Sequence, residues 1–137
     1  MNLIADHRED SPYRKSLVRE LNAYNNQYAP SENWQCVGFY VLDEGGQLAG
    51  GIQGKFEWDW LHITILWVRN RGQGLGRQLV EAAEGFAREH GKRGLFLDTL
   101  DFQARPFYER LGFSVIGKIE NAAGANARYF MLKHISC

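Results

Sequence analysis

Three glycines within five residues directly follow an apolar run in the middle of the chain. The run is "ITILWV", the segment after it is "RNRGQGLG", and a helical pattern starts at Leu75. A tight turn needs only one glycine, so three of them indicate that something approaches the backbone closely. The first amides of a helix have no partner inside the helix, and the helix dipole favours an anion there. The segment therefore predicts a phosphate site, with tight strand-to-helix packing as the alternative reason for the glycines.

Two common phosphate-binding loops do not fit this segment. The P-loop requires a lysine after its last glycine, and Arg77 follows Gly76 here. The dinucleotide fingerprint G-x-G-x-x-G is met at Gly72 and Gly74 but fails at Arg77. These two types of phosphate loop are therefore excluded, and the packing alternative stays open.

The pattern of the whole chain predicts a mixed α/β sheet. Ser11 and Pro12 are suited to start a first helix, and Gly91 to end the helix that follows the glycines. Predicted strands cover 36–42, 47–57, 61–68, 94–100, 113–120 and 127–135, with a short helix at 103–111. The near-continuous apolarity of 61–68 predicts a strand that is buried on both faces. Helices alternating with strands in this order indicate one α/β domain over residues 1–137.

Composition and charge exclude several classes of function. Lys plus Arg and Asp plus Glu number 16 each, and a zero net charge argues against a nucleic-acid or membrane-surface binder. No run approaches the roughly 20 apolar residues of a membrane span. The two cysteines, Cys36 and Cys137, have no zinc spacing, so no metal is expected. A cytoplasmic protein with reduced thiols is predicted.

Two motifs together resemble the GNAT superfamily of N-acetyltransferases. Arg71, Gly74 and Gly76 match the pattern Arg/Gln-x-x-Gly-x-Gly/Ala, and "ARPFYERLGF" is similar to the family's second signature. The resemblance implies a central, mostly antiparallel sheet flanked by helices, with one parallel strand pair that splays apart. It also implies transfer of an acetyl group from acetyl-coenzyme A to a primary amine, directly within a ternary complex.

The resemblance also implies where the coenzyme lies. The glycine loop would hold its pyrophosphate, and pantetheine would pair with the backbone of the preceding strand. The implied coenzyme-binding residues are Leu66, Trp67, Val68, Arg71, Gly72, Gln73, Gly74, Leu75, Gly76 and Arg77. The loop departs from many relatives in its length, because only Arg69 and Asn70 separate Val68 from Arg71.

Tyr108 is the candidate general acid for the departing thiolate. It matches the tyrosine that faces the thiol in the family, and a phenol can give its proton to a nascent thiolate. The alternative is a core tyrosine beside Phe107.

Two residues are candidates for the general base. His62 lies on the strand before the glycine loop, where strand alternation places it on one face with Thr64 and Leu66. Asp98 lies in the neighbouring strand beside the implied cleft. A hydrogen-bonded structural histidine and a solvated or capped carboxylate at a strand end are the respective alternatives.

Glu57 and Asp59 are candidates for binding the acceptor. They flank Trp58, and acidic groups beside an aromatic ring suit a cationic amine; a polar end of a hairpin is the alternative. Acceptor choice is expected in the first helix, the loop "NQYAPSENW" and the hairpin. A small-molecule amine is favoured over a protein amine, and the resemblance is compatible with a homodimer. A non-catalytic acyl-coenzyme A sensor or interaction module, and a structural domain that binds no coenzyme, remain open.

Overall fold

The computed structural model of the protein describes residues 1–30 and 34–135. Its contacts divide the chain into two compact units, Met1–Asn33 and Trp34–Cys137, so that the single domain expected from the sequence stays a prediction. Cys137 and residues 31–33 of the loop predicted to select the acceptor lie outside the described residues. Within the described ranges, no helix is long and apolar enough to cross a membrane.

The first unit contains helix α1, Pro12–Asn25. The Ser11 hydroxyl accepts a hydrogen bond from the Tyr13 amide at 3.2 Å, which confirms the predicted N-cap with proline in the first turn. The same hydroxyl donates to Asp6 at 2.7 Å. The guanidinium of Arg8 and this hydroxyl hold the pKa of the Asp6 carboxyl well below its usual range.

The second unit contains a six-stranded sheet with two helices. Its elements are β1 Cys36–Leu42, β2 Leu48–Glu57, β3 Trp60–Val68, α2 Leu75–Glu89, β4 Gly94–Leu100, α3 Arg105–Arg110, β5 Ser114–Ala123 and β6 Asn126–His134. The strand order is β1-β2-β3-β4-β6-β5, with β3 and β4 parallel and the other neighbouring strands antiparallel. The mixed α/β fold class and the predicted order of elements are confirmed, with small differences at the ends of elements.

The turn between β1 and β2 is organised by Asp43. Its carboxylate accepts from the Gly45 and Gln47 amides, each at 2.9 Å, and Gly46 supplies the left-handed conformation with φ +82°. The Gln47 amide and then the Arg69 guanidinium hold the pKa of Asp43 below its ordinary value. This turn therefore has a charged side chain fixed at its tip, and that side chain contacts the loop after β3.

The core lies between one face of the sheet and α2. The predicted apolar stripe of α2 is confirmed at Leu79, Ala83 and Ala87, and Val80 is buried beside them. The strands contribute the large buried side chains Phe56, Leu61, Leu95 and Met131. The start of α2 is thereby held against the sheet next to the end of β3.

Strand β3 contradicts two predictions from the sequence. Ile65 and Trp67 are 56% and 49% exposed, so the strand is not buried on both faces. Its register with β2 shifts where Gln53 faces Ile65 while Gly54 faces Ile63, which leaves Thr64 as an extra residue in a bulge. The bulge reverses the alternation, and Leu66 packs against the core rather than on the face of His62.

Candidate active site

The parallel strands β3 and β4 stay paired for only three residues. Their register runs from Trp60 opposite Gly94 to His62 opposite Phe96, and beyond these two residues the strands are no longer paired. A cavity of about 1050 Å³ lies beyond the point of separation, lined by both strands, by the loop 69–77 and by α3. The splayed strand pair expected from the sequence is therefore present.

The glycine loop leaves open space over its backbone. Gly72 has φ +84°, and Gly74, the N-cap of α2, has φ +77° with no side chain capping the helix. A Cβ on either glycine would meet no atom within 4 Å, so backbone conformation rather than packing calls for glycine there. An uncapped helix start beside open space fits an anionic group, and the adjoining cavity is roomy enough for an elongated ligand.

Gly76 has a different reason to be glycine. A Cβ at this position would lie 3.2 Å from the Cζ atom of the Phe107 ring, which is closer than most Cβ atoms come to a neighbour. Helix α3 therefore packs directly on the first turn of α2. Tight packing, the alternative explanation for the glycines, therefore accounts for Gly76. Gly72 and Gly74 are instead explained by their left-handed backbone conformation.

All three arginines of the loop, Arg69, Arg71 and Arg77, line the cavity, and Arg69 also anchors the loop. The Arg69 amide donates to the Ala49 carbonyl at 2.9 Å, and its guanidinium donates to Asp43 at 3.0 Å and to the Leu48 carbonyl at 2.6 Å. Arg71 and Arg77 line the cavity, and Arg77 also pairs with Glu81 one turn further along α2. The short connection after β3 is thus tied to the β1–β2 turn by Arg69.

Tyr108 lines the cavity from α3. Its ring is buried against Phe107 and Phe113, with ring centres 5.2 and 5.6 Å away. Burial raises the pKa of the Tyr108 phenol to about 12. The phenol therefore keeps its proton at neutral pH and can act there as a hydrogen-bond donor.

Asp98 also lines the cavity, but it has a cationic partner. Its carboxylate accepts from Arg128 Nε at 2.7 Å, and the Arg128 guanidinium lies 5.1 Å from the centre of the Phe130 ring. The hydrogen bond and the charge of Asp98 raise the pKa of Arg128. The carboxylate is about one-third exposed at this wall of the cavity.

His62 lies where the two strands separate and is not among the residues that line the cavity. Its Nδ1 is 2.6 Å from Glu57 Oε2, and its ring stacks on Phe96 with centres 4.4 Å apart and planes at 13°. The imidazole is therefore fixed in position, with its Nδ1 directed at Glu57.

The predicted acidic pocket is not formed as one cluster. Asp59 lies in the β2–β3 turn and pairs with Arg93 at 3.4 Å, Glu57 contacts His62, and neither carboxylate lines the cavity. Of the three acidic candidates, the structure brings only Asp98 to the cavity, together with Tyr108 and the predicted coenzyme-binding residues except Gln73.

Sequence reasoning missed the residues that join β4 to α3. The Gln103 side-chain oxygen accepts from the Leu100 amide at 2.7 Å and lies 3.2 Å from the Thr99 hydroxyl. Both Gln103 and Thr99 line the cavity. Gln103 directly precedes the second signature, but nothing in its local pattern indicated this contact.

Comparisons with known proteins agree with this geometry. The model of the Acetyltransferase (GNAT) family matches residues 3–113, a range that includes both signatures. Blasticidin-S acetyltransferase of Streptomyces morookaense is 39% identical over 99 residues, covering 70% of this chain and 73% of that protein. Acetyltransferase Atu2258 of Agrobacterium fabrum is 30% identical over 121 residues, covering 87% and 88%.

A solved structure extends the similarity to the fold of almost the whole chain. The 1.9 Å crystal structure of an acetyltransferase from Bacillus cereus superposes with a TM-score of 0.85 at 30% identity, covering 95% of this chain and 98% of that one. With the family model, the relatives and the splayed strands in agreement, the chain belongs to the GNAT family and is an acetyltransferase that uses acetyl-coenzyme A.

Proposed function

We propose that the protein transfers the acetyl group of acetyl-coenzyme A to a primary amine of a small molecule, directly within a ternary complex. The observation that carries the proposal is the separation of β3 from β4 after His62 and Phe96. It leaves a cavity that joins the glycine loop at one end to the buried Tyr108 on its wall.

The coenzyme would bind along this cavity. The amides of residues 71–77 would hold the pyrophosphate, since the uncapped start of α2 favours an anion and Gly74 leaves the approach open. The pantetheine arm would extend along β3 beyond His62, where the strand pairs with β2 but no longer with β4. Its amide groups would then pair with the backbone of Leu66, Trp67 and Val68.

The acetyl transfer requires two proton movements. The lone pair of the neutral amine attacks the thioester carbon, the C–N bond forms, and the C–S bond breaks with its electron pair on sulfur. The amine proton leaves to a base, for which His62 is our candidate, or through water to the solvent. The thiolate is stabilised by a hydrogen bond from Tyr108 and takes up one proton, from Tyr108 or from solvent.

The high pKa of Tyr108 bears on its role. A phenol with a pKa of about 12 gives up its proton less readily than one near 10, and an ordinary thiol lies at about 8.5. The same buried surroundings also disfavour a free thiolate, and this reduces the difference in proton affinity between the phenol and the thiol. Tyr108 is therefore best suited to donate a hydrogen bond that tightens as negative charge develops on sulfur.

The acceptor class is supported by the relatives. Blasticidin-S acetyltransferase is named for a small molecule and shares 39% identity over 99 residues with this chain. We therefore favour an amine of an antibiotic-like small molecule as the acceptor.

The test is a panel of amines assayed by release of free coenzyme A. The panel contains blasticidin S, polyamines, amino acids and peptides with a free N-terminus. At least one small amine should stimulate release, and double-reciprocal plots against both substrates should intersect, as a ternary complex requires. A preference for the peptides would contradict the small-molecule acceptor, and parallel plots would contradict direct transfer.

A further inference from the structure

We propose that Glu57 is a positioning residue for His62, and that the two side chains form the proton-accepting pair of the acetyl transfer. The inference rests on the proposed function and gives Glu57 a role different from the acceptor binding expected from the sequence. It is carried by the 2.6 Å contact between His62 Nδ1 and Glu57 Oε2 and by the stack of His62 on Phe96.

The pair is held by neighbouring strands. Glu57 ends β2, and His62 follows on β3 across a two-residue turn whose first residue, Trp58, has φ +53°. Buried Lys92 donates from Nζ to the Trp58 carbonyl at 2.7 Å and fixes this turn from inside. The Glu57 carboxylate and the imidazole are both about one-quarter exposed, so that their contact is partly shielded from water.

The contact determines which nitrogen of His62 is available. A carboxylate accepts hydrogen bonds, so neutral His62 donates Nδ1–H to Glu57 and carries its lone pair on Nε2. Phe96 holds the ring plane from the β4 side at 4.4 Å. Nε2 can then accept a proton from the attacking amine: the N–H bond of the amine breaks, Nε2–H forms, and the positive ring lies beside the Glu57 carboxylate. The proton afterwards passes to solvent.

The position of the pair suits this step. His62 and Phe96 are the last partners in the register of β3 and β4, and the cavity begins at Ile63 on the same strand. A base at the point of separation lies next to the part of β3 along which the thioester would bind. An acceptor that reaches the thioester from the side of His62 would bring its amine to the imidazole.

Other charged groups face His62 from the surrounding strands. Lys55 on β2 lies opposite His62 in the register, and Asp98 lies two residues beyond Phe96 on β4. Arg128 on β6 pairs with Asp98, and His134 on β6 contacts the ring of Trp60. Among these groups, Glu57 is the one in contact with the His62 ring.

The first test compares Glu57→Gln with Asp59→Asn in kcat/KM for the amine, measured on the plateau at high pH. Glu57→Gln removes the charged acceptor that holds Nδ1–H, so the plateau should fall by up to the order of a hundredfold, the lower end of what a general base contributes. Asp59→Asn removes a carboxylate from the same turn without touching His62 and should not reproduce this fall.

The second test is a double-mutant cycle. His62→Gln and Glu57→Gln should each lower kcat, and the double variant should be no slower than His62→Gln alone, because Glu57 acts only through His62. Additive losses would mean that Glu57 has an independent role. A higher KM for the amine with unchanged kcat in Glu57→Gln would return Glu57 to acceptor binding and overturn the proposal.

A third measurement does not depend on catalysis. Nitrogen-15 NMR of the imidazoles, with His62→Gln for assignment, should show neutral His62 protonated on Nδ1, and Glu57→Gln should shift it toward protonation on Nε2. If His62 is protonated on Nε2 in the parent protein, the positioning role is wrong whatever the enzyme acetylates. If the tautomer is as expected but no amine stimulates release of coenzyme A, the proposed function fails instead.

Discussion

The ring of Phe107 lies over Gly76 so closely that a Cβ on the glycine would be 3.2 Å from the ring's Cζ atom. Gly76 belongs to the first sequence signature and Phe107 to the second. Their contact brings the start of α2 against α3, and both helices border the cavity. The two motifs are therefore parts of one packed arrangement around the candidate coenzyme site.

Replacing Gly76 with alanine should weaken coenzyme binding, and Gly85→Ala provides the matched control. Both glycines are in α2, but a Cβ at Gly85 would meet nothing within 4 Å. Gly85→Ala should raise the free energy of unfolding by about 0.5–1 kcal/mol, the usual gain in a helix interior. Gly76→Ala must displace Phe107, so its free energy of unfolding should not rise in this way. Urea unfolding and calorimetry with coenzyme A measure both effects; equal behaviour of the two variants would contradict the packing argument.

Replacing Gly74 with alanine should separate backbone strain from ligand binding. Gly74 and Gly91 have φ +77° and +69°, and a Cβ on either would meet no atom within 4 Å. Alanine at each position should cost about 1–2 kcal/mol of folding free energy, the penalty of a left-handed residue. Only Gly74→Ala should also weaken coenzyme A binding in calorimetry, because Gly91 lies at the other end of α2. Similar coenzyme affinities in the two variants would show that the loop does not bind the coenzyme.

The sequence predicted the helices, strands and turns well because local signals determine them. Alternating apolar residues, Pro12 and the left-handed glycines Gly46, Gly91 and Gly112 mark the strands, turns and helix ends within a few residues of chain. The signatures then implied the splayed strands from a resemblance rather than from local physics.

What the sequence could not predict depends on distant partners. The bulge at Thr64 arises from the register with Gln53 and Gly54, and no residue near Thr64 indicates it. Asp98 was predicted as a candidate base, and nothing near it in the sequence indicated its partner Arg128, which lies 30 residues further along the chain. Pairing of this kind follows from the order of β4 beside β6, which only the folded sheet provides.

Arg69 should act as a structural anchor rather than as a ligand for phosphate. Its guanidinium contacts Asp43 and the Leu48 carbonyl, whereas Arg77 makes an exposed ion pair with Glu81 on the surface of α2. Arg69→Gln should lower the midpoint of urea unfolding and also weaken coenzyme binding, because the loop start is released. Arg77→Gln should leave the midpoint nearly unchanged, since exposed ion pairs contribute about 0–1 kcal/mol. A lower urea midpoint for Arg77→Gln than for Arg69→Gln would contradict the anchoring role of Arg69.

Replacing Tyr108 with phenylalanine should lower kcat on the order of a hundredfold or more while the dissociation constant of acetyl-coenzyme A stays the same. The ring and its contacts with Phe107 and Phe113 are kept, and only the hydroxyl is lost. Tyr129→Phe is the control, because Tyr129 lies on β6 and does not line the cavity. Unchanged turnover of Tyr108→Phe, with chemistry limiting the rate, would exclude a role for the hydroxyl.

The raised pKa of Tyr108 can be tested independently of catalysis, through the pH dependence of stability. Its pKa is about 12 in the folded protein against 10 for an ordinary tyrosine, so the folded state holds this proton over the interval in which the unfolded state loses it. Stability from this group is complete below pH 10 and is lost as the pH rises through 12. Tyr108→Phe should therefore show a smaller loss of unfolding free energy between pH 10 and pH 12.

The charge of the acceptor can be tested with Asp98, which lines the cavity, and with Arg128, whose Nε lies 2.7 Å from Asp98 Oδ2. If the acceptor is the cationic amine expected from the sequence, the two single replacements should have opposite effects. Asp98→Asn leaves the Arg128 cation without its carboxylate partner next to the cavity and should raise the KM of the amine. Arg128→Gln leaves a carboxylate there and should lower it. Added salt should reduce both changes, because the Debye length is about 8 Å at physiological ionic strength. Changes of the same sign would mean that the ion pair matters for structure alone, and reversed signs would indicate an anionic acceptor.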